Sequence, residues 1–498
     1  MSQNFYNNRF VLDDDVRFDG DKLMQSTAAT TFYVETTGND TTGDGSVSNP
    51  FKTITKALNS VGEFLTGNLK IYLGTGTFAG CTISKELQGT GYILIQGTPT
   101  VIVAETTATS GTTNTITVAG AGWGVNDYAG KFVRLTAGTN YLSDATNSYI
   151  NNVYPIISNT ADTLTVPEKA VVYDSTTKFE IVEQGTLIES SGYALANYSN
   201  PRLSIYPKYL ELKSTGSGYY AIYSNNGNMQ PRGCKITRGS TSQYGIYHND
   251  GYCFPQGCYF DGTFTAAVYI RGGSNIHGVQ TCYIKDAATG VYISEPNAAV
   301  YLSSLSIEGA TTGVNCLYGA QVNMITWNQY VYIDNCTTAL KASYGGEINA
   351  NYVNTRSAIN TTGAEVTKGG LIRTNNSLSA TNPYSLTDAG SLIFNDDTSL
   401  ELSLSELKYS DELTNGSYID LISGTSGIGE VLVGDSEEYA YFVWASDGTV
   451  SLIDYSSNVV DTDTNTKFCI FDNGDNVRVR NRLGSTKDVS IRATISRI

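Results

Sequence analysis

The chain has little of what most enzymes depend on. Of its 498 residues only 16% are charged and 2 are histidines. The sequence contains no nucleophile elbow, zinc-protease motif or phosphate-binding loop, and no dinucleotide fingerprint in a strand–helix context. We therefore exclude serine-hydrolase, metalloprotease and nucleotide-binding mechanisms that depend on these motifs, and we do not expect a Ser-His-Asp triad.

Positive charge and long apolar runs are also scarce. The 31 Lys and Arg residues are outnumbered by 47 Asp and Glu residues, so the formal net charge is −16. No nucleic-acid partner is expected, because phosphate backbones are bound by basic surfaces. No run of eighteen apolar residues occurs, so no membrane insertion is expected. The N-terminal sequence lacks a basic region followed by an apolar core, which predicts synthesis in a cytoplasm without a signal peptide.

What the sequence has in abundance is a short repeat. A motif represented by AIYSNN at residue 221 recurs at residues 245, 267, 290 and 313, in steps of 24, 22, 23 and 23 residues. A second motif, represented by CKITR at residue 234, recurs in step with the first. Each copy holds short β-rich runs between Gly, Asn, Ser and Asp turns, without helical periodicity. Such a pattern predicts a stack of similar units that bury their apolar faces against one another.

We interpret each repeat as one coil of a parallel β-helix. Leucine-rich repeats need a leucine frame and propeller blades need about 40 residues, and the sequence shows neither. Successive coils of a β-helix stack at roughly 4.8 Å, so equivalent positions form columns. The columns predicted to point inward are apolar: Ile222, Ile246, Val268, Val291, Val314 and Leu340; Ile236, Phe260, Ile284, Ile307 and Ile333; and Cys234, Cys258, Cys282, Leu305 and Val331.

The eight cysteines are predicted to be buried thiols rather than disulfides. Three of them share one inward column, and free cysteine packs as a small hydrophobe. No CxxC pair occurs, and Cys253 and Cys258 have no histidine partners at metal spacing, so no metal and no cofactor is expected. The other cysteines are Cys81, Cys234, Cys282, Cys316, Cys336 and Cys469.

Before the repeats, a strand and a turn-rich loop lead into the segment NPFKTITKALNSVGEFL. Asn49 is predicted to cap a helix there, with Pro50 at its first position. We predict that this helix covers the open end of the solenoid. The loop acids Asp40 and Asp44 fit turn chemistry better than a calcium loop. The residues on the apolar helical face are Phe51, Ile54, Leu58, Val61 and Leu65.

FYVETTGND followed by NPFKTITKAL resembles the opening of the pectate-lyase-like right-handed parallel β-helix superfamily, in the form found in bacteriophage tailspikes. The resemblance covers this opening closely and the repeats loosely. It implies the fold and is only suggestive of activity, because the superfamily's catalytic residues are not in this opening.

The predicted fold is all-β, with five regions. Residues 1–30 are a virion-anchoring segment or a disordered tail, and residues 31–103 are the β-helix entry with its capping helix. Residues 104–185 are a small β-insertion, for recognition, subunit contacts or spacing. Residues 186–395 are the parallel β-helix. Residues 396–498 are a C-terminal β-sandwich for trimerisation or receptor binding.

One candidate site is a set of outward tyrosines. Aromatic rings pack on the flat faces of sugars, and the phenol hydroxyl adds a polar contact. The alternative is that these tyrosines pack between the subunits of a trimer. The predicted glycan-binding tyrosines are Tyr223, Tyr247, Tyr269 and Tyr292 on one sheet, and Tyr259, Tyr283 and Tyr332 on another.

The second candidate site is an outward column with the order Thr237, Asp261, Lys285, Glu308, Asp334. Glycoside hydrolysis needs two carboxyls, about 5 Å apart for retention or 6.5–9.5 Å for inversion. Glu308, Asp334 and Asp261 are the candidate catalytic residues, because adjacent coils lie roughly 5 Å apart. Lys285, or Lys235 and Arg238 one coil earlier, would stabilise a uronate in an elimination. The alternative is that the column only alternates surface charge.

Of the two histidines, His248 is predicted to lie in the core, and His277 to be exposed in a turn. The predicted function is that of a bacteriophage tailspike, a homotrimer of the virion attached to a phage tail or baseplate protein through residues 1–30. It would recognise a bacterial surface polysaccharide, with or without depolymerising it. The alternatives are a non-enzymatic tail fibre or adhesin, and a dedicated polysaccharide lyase or glycosidase.

Overall fold

The structure is a computed structural model. It describes residues 11–13, 16–19, 22–62, 64–84, 87–139, 141, 152–168, 172–198, 203–239, 244–272, 276–324, 330–354, 359–374, 380–387, 391–394, 400–403, 407–421, 426–434, 438–445, 449–473 and 477–496. Over these residues the chain forms 52 strands and one α-helix. That helix is neither long nor apolar enough to cross a membrane.

Most of the strands build a parallel β-solenoid with three faces, which confirms the predicted β-helix. The chain passes along the third face, then the second and then the first in each coil. Strands Ile222–Met229 and Tyr244–Cys253 are long enough to span two faces. Their first halves pair within the first face, and their last residues continue the third face. The strands of the first face are Cys81–Ile83, Leu195–Tyr198, Ile222–Met229, Tyr244–Cys253, Ala266–Arg271, Thr289–Ser294, Thr312–Leu317, Thr338–Ser343, Asn360–Thr367 and Ala380–Thr387.

The other two faces are formed by shorter strands. The second face contains Gly76–Ala79, Thr186–Ser190, Glu211–Ser214, Lys235–Arg238, Tyr259–Asp261, Tyr283–Lys285, Ser306–Glu308, Val331–Asp334 and Val353–Asn354. The third face contains Thr30–Val34, Leu69–Leu73, Ile93–Gln96, Ser204–Lys208, Ile276–Gln280, Ala299–Ser303, Gln321–Asn323, Glu347–Asn349, Leu371–Thr374 and Ser391–Phe394.

The strand register follows the sequence period. Ile222 pairs with Ile246, which pairs with Val268, and the column continues through Val291 and Val314. All five side chains are fully buried. Alternation of side chains along a strand then sends the residue after each of them outward. The predicted columns are therefore the observed ones.

The entry helix is shorter than predicted and begins later, because Phe51 pairs with Val34 in an extended bridge. The helix spans Ile54–Asn59, and its N-cap is Thr53, not Asn49; Thr53 Oγ1 accepts the Lys56 N–H at 3.1 Å. Pro50 likewise lies before the helix rather than at its first position. Phe51, Ile54, Leu58, Val61 and Leu65 are all buried, but the prediction that they share one helical face is wrong. Only Ile54 and Leu58 lie in the helix, and Leu65 lies in the following strand.

The loop acids before the helix serve as caps and turns. Asp40 accepts hydrogen bonds from the backbone N–H groups of Lys52 and Thr53 at 2.8 and 3.0 Å, and Asp44 accepts one from Ser46 at 2.8 Å. Partial burial raises the pKa of Asp40, but the hydrogen bonds from Thr53 and Lys52 outweigh it and lower the pKa. These contacts are the turn chemistry that the sequence favoured.

The chain ahead of the helix also forms strands. Val11–Asp13, Val16–Asp19 and Lys22–Thr27 pair antiparallel, and the last of them pairs in parallel with Phe64–Leu65, which pairs with Gln88–Gly89. Residues 1–10 lie outside the described residues. The anchoring role of residues 1–30 stays a prediction.

Residues 99–184 form two small sheets. In chain order they follow a strand of the third face and precede a strand of the second face, which is where the β-insertion was predicted. Side chains between them form a separate core that includes Val133, Tyr154, Leu164 and Phe179. One sheet contains Pro99–Thr107, Lys178–Gln184, Phe132–Ala137 and Val153–Pro155, and the other contains Ser110–Gly111, Thr115–Thr117, Thr163–Thr165 and Ser158–Asn159.

The C-terminal strands extend the third face. Ser391–Phe394 pairs antiparallel with Leu400–Ser403, which begins an antiparallel sheet that continues through Leu407–Leu413, Lys487–Ser496, Ser426–Val433, Glu438–Trp444 and Val450–Tyr455. A second sheet contains Tyr418–Asp420, Val477–Asn481, Phe468–Asp472 and Val459–Val460. Buried side chains of both sheets, such as Phe442 and Phe468, belong to the same hydrophobic core as the solenoid.

Candidate functional site

Four tyrosines stand in one outward column of the first face. Tyr223 pairs with Tyr247, Tyr247 with Tyr269, and Tyr269 with Tyr292. The ring centroids of successive tyrosines lie 5.6, 5.1 and 4.8 Å apart. The rings are half-buried, because the buried residues between them, such as Ile222, point inward and leave the phenols on the outer surface. The predicted column is therefore present and accessible.

A second set of tyrosines, which the sequence reasoning missed, leans on this column. Tyr193 stacks on Tyr223 at 4.7 Å, and Tyr220 stacks on Tyr247 at 4.9 Å. The signal was the spacing of three between Tyr220 and Tyr223, repeated in the next coil. The first tyrosine of each pair lies at or beside the corner before the first-face strand, and the second lies within the strand. Because the chain bends between them, both rings lie on the outer surface. The missed tyrosines are Tyr193, Tyr198, Tyr219, Tyr220 and Tyr244.

The aromatic surface continues past Tyr292. Tyr318 and Tyr344 follow at the corner between the first and third faces, with rings stacked at 5.0 Å and with 49% and 44% of their surface exposed. Burial, then the neighbouring phenols of Tyr269 and Tyr318, raises the pKa of Tyr292. We call the whole set the tyrosine track: Tyr193, Tyr198, Tyr219, Tyr220, Tyr223, Tyr244, Tyr247, Tyr269, Tyr292, Tyr318 and Tyr344.

Three phenols of the track, those of Tyr220, Tyr223 and Tyr244, are held in the neutral form by their surroundings. Partial burial raises the pKa of Tyr220, Tyr223 and Tyr244, and the neighbouring tyrosines raise it further. A protonated phenol donates one hydrogen bond and accepts others. The track therefore offers flat apolar rings and uncharged hydroxyls along several coils.

Tyr259 and Tyr283, on the second face, are buried, unlike the tyrosines of the track. Their rings stack at 5.3 Å in the predicted column, but only 5% and 2% of their surface is exposed. Phe132, Val153 and Val182 of the insertion pack against them. The prediction that these two tyrosines face solvent is wrong, because the insertion folds back over this face.

Tyr332, the third tyrosine predicted on this face, is only half-buried. Its ring centroid lies 6.2 Å from that of Tyr330, which lies 5.8 Å from that of Tyr352. Neither Tyr330 nor Tyr352 was predicted. Of the second-face tyrosines that were predicted, Tyr332 alone keeps a partly open surface.

The predicted acid column has the expected register. Asp261 pairs with Lys285, Lys285 with Glu308, and Glu308 with Asp334. The structure therefore brings Glu308 and Asp334 together on adjacent coils and places Asp261 two coils from Glu308. The Asp261 side chain is 45% exposed and lies 4.0 Å from Lys235 Nζ, whereas Asp334 is only 8% exposed.

Glu308 is held by one of the buried tyrosines. The Tyr283 hydroxyl donates a hydrogen bond to Glu308 Oε2 at 2.6 Å. Burial, then this hydrogen bond and the negative charge of Glu308, raises the pKa of Tyr283. Ser306 occupies the column position between Tyr283 and Tyr332, and its hydroxyl is buried without a hydrogen-bond partner among the described residues. The tyrosine column beside the acid pair is thus interrupted by one small, buried polar side chain.

The structure corrects the assignment of one histidine. His248 is buried as predicted, but His277, predicted to be exposed, lies in strand Ile276–Gln280 and is 1% exposed. Its Nδ1 accepts the backbone N–H of Cys253 at 3.1 Å, and its ring centroid lies 5.1 Å from that of His248. His277 pairs with the buried Val300 of the next coil, so strand alternation points its ring inward. Burial lowers the pKa of His248 to about 3 and that of His277 to about 4.

The eight cysteines are all free and buried, which confirms the prediction of structural thiols. The backbone N–H of Cys258 donates to Cys282 Sγ at 3.4 Å, one step along the predicted column. Burial raises the pKa of the Cys81 and Cys316 thiols to about 12, so they are not activated nucleophiles. No cluster of three His, Cys, Asp or Glu side chains suited to a metal ion occurs in the described ranges.

Several solved structures resemble this chain. A tailspike protein gp49 from Acinetobacter baumannii bacteriophage Fri1, a capsular polysaccharide depolymerase, is 10% identical; the match covers 88% of this chain and 80% of that one, with a TM-score of 0.21. The tailspike protein gp49 from Pseudomonas phage LKA1 is 12% identical over 87% and 89% of the two chains, with a TM-score of 0.25. XylC, solved in complex with xylose, is 11% identical over 74% and 71%, with a TM-score of 0.32. No protein-family model and no curated protein matches the sequence.

Proposed function

We propose that this protein is a bacteriophage tailspike that binds a bacterial surface polysaccharide along the tyrosine track. The observation that carries the proposal is the track itself, a row of half-buried phenols aligned along the axis of a β-solenoid. Sugar rings present flat C–H faces that pack on aromatic rings, and their hydroxyls pair with phenols. A polymer of sugars would meet one ring after another along this row.

The polar border of the track favours glycan contact over subunit packing. Asn249 donates to Asn225 at 2.7 Å, and Arg271 pairs with Glu295 beside the rings. Charged residues are depleted from the centre of protein–protein interfaces, where they would lose their hydration. Hydrated amides and ion pairs beside aromatic rings suit a ligand rich in hydroxyls.

The C-terminal sheet offers a better surface for subunit contact. Ile428, Leu432, Tyr441 and Ile453 are exposed on one side of neighbouring strands. Exposed apolar side chains grouped on neighbouring strands mark interaction surfaces, and here Glu430 and Asp454 lie among them, with Glu430 accepting a hydrogen bond from the Tyr441 hydroxyl. We therefore assign the proposed homotrimer contacts to this sheet, and the virion attachment to residues 1–30. Sedimentation equilibrium is expected to give three chains per particle; a stable monomer at micromolar concentration contradicts this part of the proposal.

The glycan proposal is tested with purified protein on an array of bacterial surface polysaccharides. Tyr247→Ala removes a central ring and is expected to weaken binding about fivefold, since one aromatic contact is worth about 1 kcal/mol. Tyr301→Ala is the matched control, because Tyr301 is an exposed tyrosine on the third face, away from the track. Equal binding by both variants, or no binding to any polysaccharide, contradicts the proposal.

A second candidate function is cleavage of the bound polysaccharide at Glu308 and Asp334. The hydrogen bond from the buried Tyr283 hydroxyl to Glu308 favours it, since catalytic carboxylates are held in position by buried neighbours. In a hydrolysis one carboxyl protonates the leaving oxygen and the other acts as base or nucleophile. In an elimination Lys285, between Asp261 and Glu308, would neutralise a uronate.

Assays with polysaccharides that bind distinguish these reactions. Hydrolysis releases reducing ends without new ultraviolet absorbance, whereas elimination also produces the unsaturated-uronate band. Glu308→Gln and Asp334→Asn are expected to abolish either signal and leave binding intact. Asp261→Asn is expected to be less severe because of its distance in the column. If neither signal forms with any bound polysaccharide, the protein binds without cleaving.

A further inference from the structure

We infer that the tyrosine track selects neutral polysaccharides over those that carry uronate or other acidic groups. This inference rests on the proposed glycan binding and adds the chemical class of the ligand. For the second candidate function it favours hydrolysis, because elimination needs a uronate. It follows from the charges of the described residues on the first-face strands and at the corner after them, which sum to zero, and from the contacts that the cations already make.

Among the described residues, the charges along the track cancel. Three acidic and three basic side chains lie on the first-face strands or at the corner that leads to the third face. Their net charge is therefore zero. A net positive strip, which an acidic polymer would require, is not formed by these residues. The six residues are Asp250, Arg271, Glu295, Lys341, Glu365 and Lys368.

The three cations are also engaged. Arg271 Nε donates to Glu295, and Lys341 Nζ donates to Glu365 at 2.5 Å. The hydrogen bond with Tyr247, then that with Glu295, raises the pKa of Arg271, so the guanidinium stays charged and occupied. The charge of each of these two cations is thus already offset by an internal carboxylate, so a uronate would gain only a weak net attraction at these partly exposed pairs.

The last cation in the row is shared with an aromatic ring. Lys368 Nζ lies 4.5 Å from the centre of the Tyr344 ring and donates to its hydroxyl. An ammonium held over a ring face is stabilised by the ring quadrupole. Lys368 therefore has partners before any ligand arrives.

The remaining polar groups are uncharged. Asn249 donates to Asn225, and the hydroxyls of Tyr269 and Ser294 lie 2.9 Å apart. Beyond Tyr292 its column continues with Asn315. Amides and hydroxyls both donate and accept, which suits sugar hydroxyls, while none of them offsets a negative charge. The protein's net charge of −16 adds a general repulsion against acidic polymers.

The test uses an array on which each acidic bacterial polysaccharide is printed in its native form and after chemical reduction of its carboxyl groups, next to naturally neutral ones. We expect binding to neutral or carboxyl-reduced polymers. We also expect the affinity to change less than about twofold between roughly 50 and 500 mM NaCl, because screening acts on charge pairs that the complex does not form. Tyr247→Ala should weaken that binding about fivefold, and Tyr301→Ala should not.

The possible outcomes separate the two claims. Binding only to native acidic polymers, lost on carboxyl reduction and weakened by salt, overturns the inference of a neutral ligand and leaves the proposed glycan binding in place. Binding to no polymer, or binding that Tyr247→Ala does not change, overturns the proposed function itself. If Tyr247→Ala fails to unfold cooperatively, Tyr318→Ala serves instead, because that ring is exposed and carries little of the fold.

Discussion

The first and second faces of the solenoid carry the same residue type in the same kind of column, and the two columns end in different environments. Tyr247 and Tyr269 lie at the surface, whereas Tyr259 and Tyr283 lie beneath the insertion. The strand register is equally regular in both columns. The difference teaches that an outward position in a β-helix defines a surface only if no other part of the chain covers it.

Because the insertion covers the second-face tyrosines, one of them positions Glu308 instead of meeting solvent. Tyr283, stacked on Tyr259 and covered by Phe132, donates to Glu308 at 2.6 Å. On the first face Tyr247 and its neighbours keep open rings. We therefore expect changes on the first face to affect glycan affinity, and changes beneath the insertion on the second face to affect stability and any cleavage.

Removing the contact between insertion and solenoid has the largest expected effect. Phe132→Ala deletes a fully buried ring beside Tyr259 and Tyr283 and should lower the free energy of unfolding by about 3–5 kcal/mol. Denaturant unfolding measures the loss. Val125→Ala, at an exposed insertion position, is the control and should change stability by less than about 0.5 kcal/mol. A small loss for Phe132→Ala would mean that the insertion docks weakly.

Acid should weaken the solenoid interior around the two buried histidines. His248 and His277 have folded pKa values lowered to about 3 and about 4, below the unfolded value of 6.5. The unfolded chain therefore binds more protons below pH 6.5, so the folded chain loses stability as the pH falls towards 4 and then 3. The expected loss is about 1.4 kcal/mol per pH unit for each ring.

Replacing one histidine tests this assignment. His248→Ile follows its column neighbour, because His248 pairs with Ile270. The variant should reduce the slope of stability against pH between pH 6.5 and 4, measured by thermal or denaturant unfolding. An unchanged slope would show that His248 does not contribute to the acid sensitivity.

Tyr283→Phe sharpens the comparison of the two tyrosine columns. It keeps the stacked ring and removes the hydroxyl that donates to Glu308, so stability should fall by about 1–2 kcal/mol. If the protein cleaves its ligand, kcat should fall about tenfold with little change in KM, because Tyr283 positions Glu308 and does not touch substrate. Polysaccharide affinity on the array should stay the same, opposite to the effect of Tyr247→Ala.

The smallest expected effect is at the edge of the covered region. Tyr332 is half-buried beside the acid pair, so Tyr332→Ala should weaken polysaccharide binding by no more than about threefold. A larger loss than that of Tyr247→Ala would place the main binding surface on the second face. The same array reports both variants, so the two faces are ranked directly.

Much of the fold follows from local patterns that are visible in the chain. The repeat period sets the columns, so the inward cysteines and the outward order Asp261, Lys285, Glu308, Asp334 were predicted correctly. The entry segment shows the limit of this reasoning. Its apolar spacing located the buried residues, but the helix begins only after Thr53, because Phe51 bonds to a strand 17 positions earlier.

The sequence by itself determined which side of each strand a residue occupies, because side-chain alternation and coil stacking are short-range geometry. Only the tertiary structure decided which outward side chains meet solvent. That depends on contacts between segments far apart in the chain, such as Gln184 Nε2 with the Gly233 carbonyl oxygen, or Phe132 against Tyr259. The tyrosine track and the buried tyrosines beside Glu308 both point outward from their strands. Because the insertion covers only the second set, the first forms a surface and the second packs in the interior.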